Sequence, residues 1–73
     1  MKYYTDSNND SNIRAYDYSD EYIIIEFKDG SQYKYTYGSA GSHNIEKMKR
    51  LADYGDGLNS FINKNRPGFA TKY

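Results

Sequence analysis

Two strand-like stretches flank an Asp-Gly turn near the middle of the chain. Tyr22-Ile23-Ile24-Ile25-Glu26-Phe27 precedes Asp29-Gly30, and Tyr33-Lys34-Tyr35-Thr36-Tyr37 follows it with tyrosine at every second position. Such runs on both sides of an Asp-Gly pair are the strongest short-range signature of a β-hairpin. Upstream, Asn12 to Tyr18 reads as a first strand and Ser19-Asp20-Glu21 as the turn after it, so strands are expected at 12–18, 22–28 and 31–37. Gly38 to Ser42 reads as a flexible joint. Beyond it the period changes. Ile45, Met48, Leu51 and Ala52 recur at helical spacing, with Glu46, Lys47, Lys49 and Arg50 mostly on the opposite side. Ser42 or His43 is placed to cap this helix and Gly55 to end it. A second helix is expected from Leu58 to Asn65, with Leu58, Phe61 and Ile62 as its apolar stripe and Pro67 as its terminator.

These elements predict an α+β fold: a three-stranded antiparallel sheet followed by two helices packed on one face. The face they cover depends on the central turn. A two-residue Asp29-Gly30 loop would pair 25 with 34 and make both faces apolar. A three-residue Lys28-Asp29-Gly30 loop, a type I turn closed by a glycine bulge, pairs 25 with 33 and 23 with 35. The second register is expected, because two thin helices cannot shield two apolar faces. It leaves Tyr22, Ile24, Glu26, Lys28, Gln32, Lys34 and Thr36 on an open, mixed face.

The Asn-, Ser- and Asp-rich residues 1–11 read as a flexible leader, residues 12–66 as one domain and residues 67–73 as a short tail. A sequon at Asn9-Asp10-Ser11 is read as part of the polar leader. With 73 residues and no cysteine, a small core must hold the fold by packing alone. The first residues lack the apolar stretch of a secretory signal, and the longest apolar run, Tyr22 to Ile25, is far too short to span a membrane. A cytoplasmic location with no membrane partner is expected.

Formal charge is balanced overall but not along the chain. Residues 1–30 carry three basic and seven acidic side chains, net −4, and residues 31–73 carry seven basic and three acidic, net +4. That asymmetry fits an anion-binding face, complementary surfaces in a homo-oligomer, or opposite charges meeting within one fold.

The order of these residues resembles the KTSC domain family, named for its place at the C-terminus of some lysyl-tRNA synthetases and also found as small stand-alone bacterial or phage proteins. The matching pieces are Ser11-Asn12-Ile13, the Ile23-x-Ile25-x-Phe27-x-x-Gly30 spacing, Tyr33-Lys34-Tyr35, Ala52-x-x-Gly55, and Leu58-Asn59 with Ile62. They span Ser11 to Arg66. The family's Val-Pro pair before its helical half is replaced here by Gly38-Ser39-Ala40-Gly41-Ser42. The resemblance implies RNA binding and supplies no catalytic residues.

Enzyme chemistry finds no footing in the residues themselves. His43 is the only histidine and no thiol is present, so one chain cannot build a His-Cys pair or a multi-histidine metal site. Asp53 and Asp56 read as a helix end and a helix cap, and the Gly38–Gly41 stretch lacks the Gly-Lys-Ser/Thr of a phosphate loop. No cofactor is expected. The candidate ligand-binding residues are Arg14, Tyr16, Tyr22, Lys28 and Lys34 on the open sheet face and Lys47 and Arg50 on the first long helix, combining rings for base stacking with cations for phosphates. RNA or a nucleotide-type ligand is the first partner they fit. A host protein, met by a small phage-type inhibitor, is the alternative. An exposed Tyr22–Lys34 cluster would favour the first, and a contiguous Ile24–Tyr22–Tyr16 patch the second.

Overall fold

A computed structural model describes residues 1–7 and 11–73. Residues 8–10, which hold Asn9 and Asp10 of the sequon, lie outside the described residues. The elements are β1 (Lys2–Tyr3), β2 (Ile13–Ser19), β3 (Tyr22–Phe27), β4 (Gln32–Thr36), α1 (Tyr37–Ala40), α2 (Ser42–Tyr54), α3 (Leu58–Asn65) and β5 (Thr71–Lys72). The fold is α+β. Among the described residues its antiparallel sheet has five strands in sequential order rather than three, and its helices number three rather than two.

The hairpin adopts the three-residue turn. Ile23 pairs with Tyr35 and Ile25 with Tyr33, so those side chains share one face. Gly30 sits at φ 92° and donates its N–H to the Phe27 carbonyl at 2.9 Å, while the Phe27 N–H reaches Ser31 at 2.8 Å. Only glycine takes that backbone geometry without steric cost.

Tyr16 pairs with Ile25 and Tyr18 with Ile23. The same face therefore gathers Ile13, Tyr16, Ile23, Ile25 and Tyr35, which pack with Ile45, Met48 and Ala52 of α2 and Leu58 of α3 into one core. Burying each large aliphatic side chain contributes about 1.5–3 kcal/mol, which is how a 73-residue chain holds together without disulfides. A bulge between Ile13 and Ala15 shifts the register of β2 against β3.

The leader and the tail are the main corrections among the described residues. Residues 2–7 are part of the fold: Lys2 pairs with Tyr16, Tyr3 with Ala15, and Tyr4 is buried in the core. The phenol oxygen of Tyr4 accepts the Leu58 N–H at 3.2 Å, capping α3, whose own cap residue Gly57 has no side chain. The polar composition of the segment hides one aromatic residue whose ring fills the core and whose hydroxyl serves a helix end. Residues 67–73 also return to the sheet: the Ala70 N–H bonds Lys34 and the Tyr73 N–H bonds Gln32, each at 2.7 Å. They satisfy an edge of β4 that a three-stranded sheet would leave open.

The expected flexible joint is a helical turn. Thr36 and Ser39 form a reciprocal capping box over α1. Neither Ser42 nor His43 caps α2; Gly41 holds the cap position at φ 90° with no side-chain bond, because the chain turns from α1 into α2 within that single residue. Gly55 ends α2 at φ 84° and Leu58–Asn65 is helical, as the spacing predicts. No helix among the described residues is long and apolar enough to cross a membrane.

Candidate nucleic-acid interface

The seven candidate residues do not converge. Tyr16 is 4 % exposed on the helix-covered face, so it belongs to the core and not to the open face. Two residues of β2, Arg14 and Ala15, span the bulge opposite a single step of β3, and Tyr16 thereby falls in register with Ile25. Arg14 turns to the hairpin end, where Nη2 donates to the Lys28 carbonyl at 2.6 Å and Nη1 stands 4.0 Å from Glu26. Lys28 lies in the turn itself, 3.4 Å from Asp6.

Tyr22 and Lys34 do meet on the open face. The Lys34 ammonium lies over the Tyr22 ring, 4.5 Å from its centroid. A base stacking on Tyr22 would take the place of this ammonium and free it for a phosphate. With Tyr16 on the other face, the contiguous Ile24–Tyr22–Tyr16 patch does not form.

Lys47 and Arg50 lie on the solvent side of α2, and their setting follows from how that helix sorts its charges. Both acidic residues of α2 are engaged, Asp53 by the sheet and Glu46 by Tyr37 of α1 and Lys49 of its own helix. Asp53 accepts the hydroxyls of Tyr16 at 2.7 Å and Tyr18 at 2.6 Å and stands 3.6 Å from Lys2. Glu46 accepts the Tyr37 hydroxyl at 2.5 Å and Lys49 at 3.0 Å, and Lys49 also donates to the Asp20 carbonyl at 2.7 Å. The phenol donors hold both carboxyls below the usual carboxylate range, Tyr18 contributing most for Asp53 and Tyr37 for Glu46. The phenols move the opposite way: burial first, then Asp53, raises Tyr16, and the Glu46 hydrogen bond lifts Tyr37 to about 12.

Flanked by the exposed carboxylates Glu46 and Asp53, the exposed His43, Arg50 and Tyr54 and the half-buried Lys47 form a stripe on the helix. At 3.6 residues per turn these positions fall within an arc of about 60° and extend about 16 Å along the axis. Tyr54, at its end, is 76 % exposed. Neither Lys47 nor Arg50 has a carboxylate within 4 Å among the described residues. The same holds for Lys34, Lys64, Arg66 and Lys72, so of the seven basic residues in 31–73 only Lys49 has a carboxylate within 4 Å among the described residues. The helix thus presents cations and an exposed ring on one line, with its two carboxylates beside that line and held by phenol hydroxyls and lysines. Sequence reasoning found Lys47 and Arg50 but missed His43 and Tyr54 as their companions; the 4-3-4 spacing was the signal that joins them.

Compared with family models, curated proteins and solved structures, the chain finds no match.

Proposed function

We propose that the protein is a non-catalytic binding module for single-stranded RNA or a nucleotide-type ligand, acting in the cytoplasm, with the solvent stripe of α2 as its phosphate-facing surface. The observation that carries this reading is the charge sorting on α2: Lys47 and Arg50 have no carboxylate within 4 Å among the described residues and lie beside the exposed Tyr54 ring, while the Glu46 carboxylate is engaged by Tyr37 and Lys49 and that of Asp53 by Tyr16, Tyr18 and Lys2. Cations in this state exchange water and counterions for phosphates without first breaking an internal ion pair. The Tyr22–Lys34 contact on the outer sheet face supports the same reading, as does the KTSC-like order of motifs.

The test is a filter-binding titration of single-stranded RNA across a salt series. Each phosphate contact contributes about 0.7 to the log–log salt slope for single strands. Lys47→Glu with Arg50→Glu removes two contacts, so the slope should fall by about 1.4 units. A flat titration at low salt, or a double variant that binds like the parent, overturns the reading.

One observation favours a protein partner instead. On the outer face Tyr3, 81 % exposed, pairs with Ala15 at one edge, and Tyr73, 62 % exposed, follows β5 at the other. Two free rings framing a sheet face suit a protein contact. Retention of a host protein that survives nuclease treatment and is lost with Tyr3→Ser and Tyr73→Ser would establish it over RNA.

A further inference from the structure

A concavity of about 520 Å³ opens at the turn end of the hairpin, on the helix-covered side of the sheet. That volume lies within the range of small-ligand sites. Three rings wall it. Phe27 meets Tyr33 edge-on with centroids 5.5 Å apart, and Phe69 meets the same ring edge-on at 4.8 Å. Ile62 of α3 and the buried Tyr35 complete the apolar lining. The rim is polar, formed by Asn12, Lys28, Asp29 and Ser31.

These walls are held in place. The backbone N–H and hydroxyl of Ser31 donate to Asp29 Oδ1 at 2.9 and 2.7 Å, fixing the turn. Phe69 is carried on the returning tail, where Ser39 Oγ donates to the Gly68 carbonyl at 2.9 Å and the Ala70 N–H bonds Lys34. Lys72, from the same tail, lies 5.4 Å over the Tyr33 ring. Phe69 is nonetheless 51 % exposed, an aromatic residue left half in water at the mouth of an aromatic cleft.

We infer that this cleft binds one nucleotide of a single-stranded RNA, its base seated among Phe27, Tyr33 and Phe69 and its phosphate met by the Lys28 ammonium at the rim. The inference rests on the RNA reading for the source of the nucleotide, but it assigns a site separate from α2. A flat heteroaromatic ring gains stacking or edge contact with each of the three walls. The Asn12 amide, the Ser31 hydroxyl and the Asp29 carboxylate offer donors and acceptors to the base edge, as sites for small polar-rimmed rings require. Lys28 is half exposed and stands 3.4 Å from the largely buried Asp6 carboxylate, which also accepts the Ser11 N–H, so a phosphate at the rim would share the ammonium with Asp6.

The experiment is a titration of ring-labelled protein, followed by aromatic NMR, with adenosine and uridine monophosphates, adenosine, ribose 5-phosphate and N-acetyl-tyrosinamide, up to ~10 mM to cover the weak affinity expected of so small a ligand. Saturable shifts at Phe27, Tyr33 and Phe69 with the nucleotides, and none with ribose 5-phosphate, support the inference. Phe69→Leu keeps the tail's apolar contact and removes the flat ring; it should weaken nucleotide binding about tenfold. Lys28→Gln should weaken the monophosphates and leave adenosine unchanged. Binding of N-acetyl-tyrosinamide as tight as that of the nucleotides would overturn the inference in favour of a peptide ring, and so would the absence of shifts at all three rings. Lys47→Glu with Arg50→Glu should leave these shifts intact while lowering the salt slope of RNA binding by about 1.4 units, so failure of the cleft and failure of the α2 surface are read separately.

Discussion

Gly55→Ala tests whether the N-terminal segment is built into the fold. Gly55 sits at φ 84°, and a Cβ placed there would lie 2.6 Å from Thr5 Cβ. Gly30, at φ 92°, has the same left-handed geometry with nothing within 4 Å of an added Cβ. A left-handed alanine costs about 1–2 kcal/mol. Gly30→Ala should cost that and no more. At Gly55 the methyl must also displace Thr5, which loosens the Ser7 N–H bond to the Gly55 carbonyl, 2.8 Å long. Losing that bond adds about 1 kcal/mol, before any loss from the seating of Tyr4. In a domain of this size each kcal/mol lowers Tm by roughly 4–8 °C, so thermal melts followed by circular dichroism should separate the two variants by at least ~4 °C. Thr5→Gly removes the obstructing Cβ. In that background Gly55→Ala should cost no more than Gly30→Ala, a coupling that a double-mutant cycle isolates. Equal melting points for the two alanine variants in the parent chain would refute the seating of residues 2–7 against the α2–α3 junction.

Three further outcomes are expected. Tyr4→Phe keeps the buried ring but withdraws the acceptor for the Leu58 N–H; urea unfolding should show a loss of about 1 kcal/mol, and an unchanged midpoint would show that α3 has another cap. Folding holds the carboxyl of Asp53 below its ordinary value, so its contribution is complete above the carboxylate range and is lost as pH falls through the lowered value; Asp53→Asn should flatten the acid limb of stability against pH, and an identical limb would contradict the Tyr16 and Tyr18 bonds. Folding holds Tyr35, through burial, and Tyr37, through Glu46, up to about 12, so their contribution is present below the ordinary phenol value near 10 and is lost as pH rises through the raised values. Phenolate absorbance should then lag for these residues until the circular dichroism signal falls, whereas complete phenolate formation near pH 10 with the fold intact would exclude it.

The hairpin, its glycine bulge and the two longer helices were legible in residue order because each is a local pattern. Period two around Asp29-Gly30 sets which tyrosines face inward, and the Ile45, Met48 and Ala52 spacing sets the buried side of α2. The Lys47–Arg50 pair was legible for the same reason. Tertiary structure alone decided the rest. Tyr4 lies among polar residues, and its worth depends on Leu58, 54 positions away. Tyr16 has the alternation of an outward residue until the bulge at Arg14 turns it in. The cleft draws Phe27 and Tyr33 from the hairpin, Ile62 from α3 and Phe69 from the tail, and no window of sequence contains that set. Local periodicity reports backbone geometry and the face a side chain takes; the partners on that face are chosen by long-range packing, because burial rewards whatever apolar surface the closed chain brings together.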